Sequence, residues 1–174
     1  MPQPVFIFEP LDSRHDRANF ACGIDELDDY LRTKARKERD ISYSGVFVAI
    51  DRTSPTAIAG YYTLSSHSID LAGIDPNARK KLPRYPSVPT TLLGRLARSL
   101  AFRKMGLGDL LLIDALKRAL TASKDVGSYA VTVDAINEEA AKFYRKFGFI
   151  PISGNDRRFY LPMATIQKLG LGDE

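Results

Sequence analysis

The chain has 174 residues, 25 Lys and Arg against 21 Asp and Glu, a formal net charge of +4, 44% apolar residues, one Cys and no Trp. That length supplies apolar material for one core, and the composition excludes collagen-like repetition and intrinsic disorder. No apolar run reaches the ~20 residues of a membrane helix, Cys22 has no disulfide partner, and His15 and His67 alone do not make a structural zinc site. The opening MPQPVFIFEP lacks a basic region and a long apolar stretch, so the cytoplasm is the expected compartment, with no membrane span and no metal.

After an opening strand, Ile24, Leu27, Tyr30 and Leu31 recur at three- and four-residue spacing behind Gly23. This predicts an amphipathic helix able to run on through the charged segment to Arg39. Asp25, Glu26, Asp28 and Asp29 fall at its start, where acids complement the helix dipole. Val46–Ile50 and Ile58–Leu64 read as a β-hairpin around the turn from Asp51 to Pro55. From His67 to Thr90 the density of proline (Pro76, Pro83, Pro86, Pro89) predicts a long excursion, with a short helix near Pro76 to Lys81. Leu92, Leu93, Leu96 and Ala97 predict a buried strand, and Gly106-Leu107-Gly108 opens a helix to Leu120 with a broad apolar face. Tyr129–Val133 is the next strand, and Glu138–Phe147 a second helix closed by Gly148 in a left-handed conformation. Phe149–Ile152 and Arg158–Leu161 form a terminal strand pair, and Phe143, Phe147 and Phe149 are expected in the core.

Basic residues gather at Lys34, Arg36, Lys37 and Arg39, and again at Arg79, Lys80, Lys81 and Arg84. Two readings stay open for each group, a solvated surface and a polyanion-binding face.

The segment Arg103-Lys104-Met105-Gly106-Leu107-Gly108 lies between a strand and a helix. A turn there exposes successive backbone N–H groups beside a helix N-terminus, which suits a phosphate or pyrophosphate. It is neither a Walker loop nor the three-glycine dinucleotide fingerprint, and on its own it equally reads as a plain strand-to-helix turn. About thirty residues on stands Asn137-Glu138-Glu139-Ala140-Ala141-Lys142-Phe143-Tyr144-Arg145-Lys146-Phe147-Gly148-Phe149. The Arg-x-x-Gly-x-Gly turn and the Asn, Ala, Phe-Tyr, Gly-Phe block, in that order, resemble the two motifs of the GNAT acetyltransferase superfamily.

A narrower resemblance covers most of the chain. Phe20-x-Cys22-Gly23-x-x-x-Leu27-Asp28-x-Tyr30-Leu31, Gly60-Tyr61-Tyr62-x-Leu64-Ser65, Leu82-Pro83-Arg84-Tyr85-Pro86-x-Val88-Pro89 and Leu93-Gly94-Arg95-Leu96-Ala97 are similar to the GNAT toxins of bacterial toxin–antitoxin pairs. The resemblance implies an α+β, three-layer GNAT fold over residues 1–174 as a single domain. Its mixed, mostly antiparallel central sheet would carry helices on both faces and splay to admit acetyl-CoA. It implies acetylation of the amino acid on aminoacyl-tRNA, which blocks translation, and a homodimer held inactive by a ribbon-helix-helix antitoxin, with operator DNA met only through that antitoxin. By the same resemblance Leu96, Ala97 and Arg98 would flank the pantetheine arm. The backbone from Arg103 through Lys104, Met105, Gly106, Leu107 and Gly108 would hold the pyrophosphate, with Asp109 just inside the helix. Asn137 would hydrogen-bond the cofactor, and Tyr144 would protonate the departing thiolate.

The residues have other readings too. Tyr144 without its flanking pattern is a core aromatic, and Asn137 is a natural helix N-cap, a role compatible with cofactor binding. Lys104 stands where a third glycine is common, Met105 where the residue is often polar, and Arg98 where an aliphatic one is frequent. Lys34, Arg36, Lys37, Arg39 and Arg84 are the expected tRNA contacts, giving salt-sensitive affinity without reading sequence. A tyrosine acid with no strong base suits an α-amine of pKa ~7.7–8.0, part of which is already neutral. The alternatives are a small-molecule or protein amine as acceptor, and a catalytically weak domain acting with an antitoxin as a DNA-binding repressor. Cys22 as an acyl relay has no nearby His to activate it.

Overall fold

The computed structural model describes residues 3–171. The 1–174 span expected for a single domain therefore reaches beyond the described residues at both ends. Seven strands form one sheet in the order β1-β2-β3-β4-β5-β7-β6. They are β1 (Phe6–Pro10), β2 (Gly45–Asp51), β3 (Ser54–Asp70), β4 (Ser87–Arg98), β5 (Ala130–Asp134), β6 (Ile150–Pro151) and β7 (Arg158–Pro162). The helices are α1 (Asp25–Thr33), α2 (Ala35–Asp40), α3 (Pro76–Arg79), α4 (Leu107–Ser123), α5 (Glu138–Lys146) and α6 (Met163–Lys168). The sheet is mixed and mostly antiparallel: β1·β2, β2·β3, β5·β7 and β6·β7 run antiparallel and β4·β5 parallel. The chain divides into two compact units, one holding the chain up to Ser65 with Gly94–Ala115, the other Ser66–Leu93 with the chain from Leu116.

In the first unit, apolar side chains of α1 and the hairpin meet in a core of Leu11, Phe20, Leu31, Val48, Ile58 and Tyr61, among others. Phe47 and Tyr62 are cross-strand partners whose rings stack with centroids 5.3 Å apart, the pairing that favours aromatic residues on a pleated surface. Gly60 has no room for a side chain, because an added Cβ would lie 2.7 Å from Leu111 Cδ1 and 2.9 Å from the Ala97 carbonyl oxygen.

The single helix expected to reach Arg39 is broken at Lys34, whose φ of −123° leaves the helical region. The cause is tertiary: the Arg17 guanidinium donates to the carbonyls of Leu31 (3.3 Å) and Arg32 (2.9 Å), capping α1 from a segment outside it. Asp28 does more than complement the dipole; it is buried and accepts from the Cys22 backbone N–H at 2.9 Å.

In the second unit, β4 pairs with β5 from Thr90↔Ala130 to Leu93↔Val133, and β5 with β7 from Ala130↔Pro162 to Asp134↔Arg158. A small core of Ile69, Ile74, Val88, Ala130 and Tyr160 lies beneath the segment that follows β3. The expected excursion from His67 to Thr90 is shorter than proline density predicts, since β3 runs to Asp70 and β4 starts at Ser87. Pro89 lies inside β4, contrary to expectation. It has no N–H to give, but its carbonyl accepts from Tyr129 N–H at 2.8 Å, so only an acceptor is needed there. Pro76 begins α3 as expected, with Asp75 Oδ2 capping Asn77 and Ala78 N–H groups. Of the three phenylalanines expected in the core, Phe149 is buried while Phe143 and Phe147 are half-buried. Gly148 takes the expected left-handed turn at φ +93°.

Candidate active site

In the first unit, a strand end and a loop carry the expected cofactor residues. Strand β4 runs past its ladder with β5 through Gly94–Arg98, leaving that stretch of main chain outside the ladder. Ala97 there is buried, and Leu96 and Arg98 are half-buried. Arg98 Nε is buried without a hydrogen-bond partner. After a short 3₁₀ turn at Leu100–Phe102, the chain passes through Arg103–Gly106 into α4. Lys104 and Gly106 both adopt left-handed backbone, at φ 63° and 71°. Leu107 is fully buried and anchors the loop to the core. Among the described residues, no backbone N–H from Arg103 to Asp109 donates a hydrogen bond to the protein; the ladder of α4 opens with Leu110 N–H to Gly106 O at 3.2 Å. A Cβ at Gly106 or Gly108 would meet nothing within 4 Å. Free donors, open space, exposed Arg103 and Lys104 and the dipole of a long helix together fit a diphosphate. Arg103 is steadied by its Nε–H bond to Leu100 O at 3.2 Å, and the half-buried Asp109 contributes a backbone N–H to this set.

In the second unit, α5 carries Tyr144 and is preceded by Asn137. Asn137 is its N-cap: Oδ1 accepts from Ala140 N–H at 2.8 Å, and the side-chain amide stays exposed. Glu138 bonds Arg145 at 3.0 Å along the same helix, and that guanidinium holds its carboxyl below the ordinary range. Tyr144 faces inward at 7% exposure. Its ring sits edge-on between Phe143 and Phe149, each centroid 5.4 Å away, which fixes the orientation of the phenol. Burial pushes the phenol well above its ordinary pKa, so it keeps its proton throughout the neutral range.

The buried tyrosines differ in one respect. Tyr30 Oη donates to Glu38 (2.9 Å), Tyr61 Oη to Leu27 O (2.7 Å), Tyr62 Oη to Asp114, and Tyr160 Oη accepts from Asp75 N–H (3.0 Å). Tyr144 Oη makes no hydrogen bond among the described residues. Unlike the hydroxyls of Thr90 and Thr132, its oxygen is not among the fully buried atoms left without a partner, so the ring is packed while the hydroxyl stays accessible, as a proton donor to an incoming group must be. Cys22, by contrast, is unsuited to a relay: burial first, then the bond to Asp28, push its thiol up to about 11.

The expected tRNA contacts fall in both units. Lys34, Arg36, Lys37 and Arg39 are exposed on and before α2, with Arg36 and Arg39 both near Asp40, at 3.9 and 3.4 Å. Arg84 is exposed between α3 and β4. Sequence reasoning gave no role to Arg95, whose guanidinium lies 3.6 Å from the centroid of the Tyr30 ring; its place in a quoted motif was the only signal.

The chain matches the Acetyltransferase (GNAT) family over residues 19–149, and it belongs to that family. It is 33% identical over 171 residues to a probable toxin TacT of Sinorhizobium fredii (strain NBRC 101917 / NGR234), across 94% of each chain. It is 35% identical over 158 residues to a tRNA-acetylating toxin of Mycobacterium tuberculosis (strain ATCC 25618 / H37Rv), across 91% of this chain and 92% of that one. The structure of AtaT complexed with acetyl-methionyl-tRNAfMet resembles it with a TM-score of 0.88 at 30% identity, covering 95% of this chain and 99% of that chain. A Tyr→Phe mutant of AtaT bound to the C-terminus of the antitoxin AtaR and acetyl-CoA gives a TM-score of 0.79 at 27% identity, over 94% and 97%. The family and fold expected from the two motifs are thus the ones found.

Proposed function

We propose that this protein transfers the acetyl group of acetyl-CoA to the α-amino group of the amino acid on charged tRNA, and blocks translation as the toxin of a toxin–antitoxin pair. The observation that carries the chemistry is Tyr144, a buried, protonated phenol with no hydrogen-bond partner in its own protein. Its relatives named as a tRNA-acetylating toxin and a probable toxin support the choice of acceptor and role.

Acetyl-CoA supplies a thioester whose C–S bond breaks as the amine N–C bond forms, leaving a thiolate. Tyr144 Oη gives its proton to that sulfur, a step worth about 10²–10⁴ in rate for a well-placed acid, and the proton shed by the newly acylated nitrogen restores the phenol through solvent. The N–H groups from Arg103 through Lys104, Met105, Gly106, Leu107, Gly108 and Asp109 bind the diphosphate, and Arg103 and Lys104 add positive charge. The Gly94–Arg98 main chain hydrogen-bonds the pantetheine amides, with Leu96, Ala97 and Arg98 alongside, and the exposed Asn137 amide is a further hydrogen-bonding group for the cofactor. The acceptor amine, with a pKa of ~7.7–8.0, is partly neutral at physiological pH and needs no strong base.

Lys34, Arg36, Lys37, Arg39 and Arg84 meet tRNA phosphates. Residues 1–174 act as one GNAT domain in the bacterial cytoplasm, as a homodimer. A ribbon-helix-helix antitoxin restrains it and brings the complex to operator DNA.

The test is transfer of labelled acetyl from acetyl-CoA to a charged tRNA pool. Label on charged but not uncharged tRNA, lost with Tyr144→Phe, is the expected result. A protein that binds acetyl-CoA yet labels no tRNA would overturn the acceptor and leave the fold intact.

A further inference from the structure

The second basic group, between α3 and β4, differs from the first in two ways. Arg79, Lys80, Lys81 and Arg84 form no ion pair among the described residues, and Arg79 Nε is buried with no hydrogen-bond partner. Beside them Tyr85 stands 71% exposed. An exposed tyrosine on a loose loop would mean little. This one is held.

Pro83 and Pro86 bracket the Arg84-Tyr85 pair, fixing their own φ and restricting Leu82 and Tyr85 before them. Leu82 packs on the core formed by Ile69, Ile74, Val88, Ala130 and Tyr160, and its N–H bonds Arg79 O at 3.1 Å. On the other side the Pro86 carbonyl accepts from Leu71 N–H at 2.9 Å. The loop therefore presents an aromatic face to solvent with little conformational entropy left to lose. Tyr43, just as exposed at 71%, lacks this setting: the arginines nearest it in sequence, Arg36 and Arg39, already face Asp40.

Resting on the aminoacyl-tRNA reading above, we infer that Tyr85 is a stacking platform for an unpaired RNA base, with Lys80, Lys81 and Arg84 on the adjoining phosphates. A rigid exposed ring beside uncompensated cations is what single-stranded nucleic acid requires, since every base has a π-face and every linkage a charge. Paired bases are unavailable for such stacking, so the partner is an unpaired end or loop. An acidic peptide would use the cations and leave the ring without a role.

The experiment uses the full chain and an unpaired oligoribonucleotide of ~8 nucleotides carrying 2-aminopurine, with a blunt duplex RNA as comparison. Wild type should quench the 2-aminopurine. Tyr85→Ala and Tyr85→Leu should bind the single strand about 5- to 150-fold more weakly, while Tyr85→Phe keeps both affinity and quenching. Duplex binding should not respond to Tyr85. Melting temperatures of all variants should match wild type, because the side chain is exposed. Equal single-strand affinity in Tyr85→Ala, or no quenching by a wild-type protein that acetylates charged tRNA, would overturn the platform and spare the acceptor. A Tyr85→Ala protein that keeps RNA affinity but loses its antitoxin would overturn it in favour of a protein-docking site. Failure of wild type to bind or acetylate any tRNA would remove the underlying reading itself.

Discussion

Tyr61 in the first unit and Tyr144 in the second are both buried, both ringed by other aromatics and both pushed far above the ordinary tyrosine pKa of 10.0 by desolvation. They differ in what the hydroxyl does. Tyr61 spends its proton on the Leu27 carbonyl and so ties β3 to α1, whereas Tyr144 keeps its proton unshared. Burial and pKa alone do not distinguish a structural tyrosine from a chemical one; the unmade bond does. The largest expected effect follows. Tyr144→Phe should lower the acetyl-transfer rate by about 10²–10⁴ and leave the melting temperature nearly unchanged, because the ring stays and no protein hydrogen bond is lost. A mutant with full activity and a lowered melting temperature would break the comparison.

The tightness of the first unit is the next contrast. Gly60→Ala places a Cβ 2.7 Å from Leu111 and 2.9 Å from a main-chain oxygen of β4, which cannot step aside as a side chain can. It should cost about 1–3 kcal/mol in a denaturant titration. Tyr61→Phe should cost about 1 kcal/mol, the net worth of its bond, with the acetyl-transfer rate unchanged once the protein is folded. If Tyr61→Phe instead abolished transfer at full stability, the roles assigned to the two tyrosines would be reversed.

Alkaline pH sharpens the same contrast. Tyr144 must be protonated to donate, and its pKa lies above 10.0, so deprotonation of this group should not reduce the rate below that pH. The acceptor amine must lose a proton, so kcat/KM should rise through about pH 7.7–8.0 and then stay level towards pH 10. A falling limb centred near pH 9 would exclude Tyr144 as the acid. Stability runs the other way. With folded pKa values of Tyr61 and Tyr144 raised, the native state holds protons that the unfolded chain releases above 10.0, so ΔG of unfolding should decline as pH rises past that value.

Helix α5 and the loop between β4 and α4 were legible because periodicity and turn chemistry are local: α5 begins at its Asn cap and is closed by the left-handed Gly148. What was not legible depends on partners distant in sequence. Arg17 stops α1 by taking carbonyls on the far side of a helix, and nothing in the run from Ile24 to Arg39 announces it. Pro89 joins β4 because the neighbouring strand asks it only for a carbonyl. Met163 and Ile166 bury one side of α6, but two apolar residues three apart are too short a pattern to read. For the site, the identity of Tyr144 came from its motif, while the freedom of its hydroxyl is a property of the folded surroundings.

The smallest expected effect lies in the diphosphate loop. Lys104 holds φ at 63°, a conformation that costs an L-residue about 1 kcal/mol and glycine almost nothing. Lys104→Gly removes that strain but adds backbone entropy to the unfolded chain, worth about 0.4–1 kcal/mol against it. The two nearly cancel, so the melting temperature should move by little in either direction. Gly106→Ala is the control: at φ 71° with open space around the new Cβ, it gains strain without relief and should destabilise by about 1 kcal/mol. Acetyl-CoA affinity then separates backbone from charge. If the loop binds through its N–H groups, Lys104→Gly should weaken binding slightly at low salt and not at high salt, where exposed charges are screened. A salt-independent loss would mean that Lys104 makes a fixed contact with the cofactor, and that a lysine holds this left-handed position for its ammonium group.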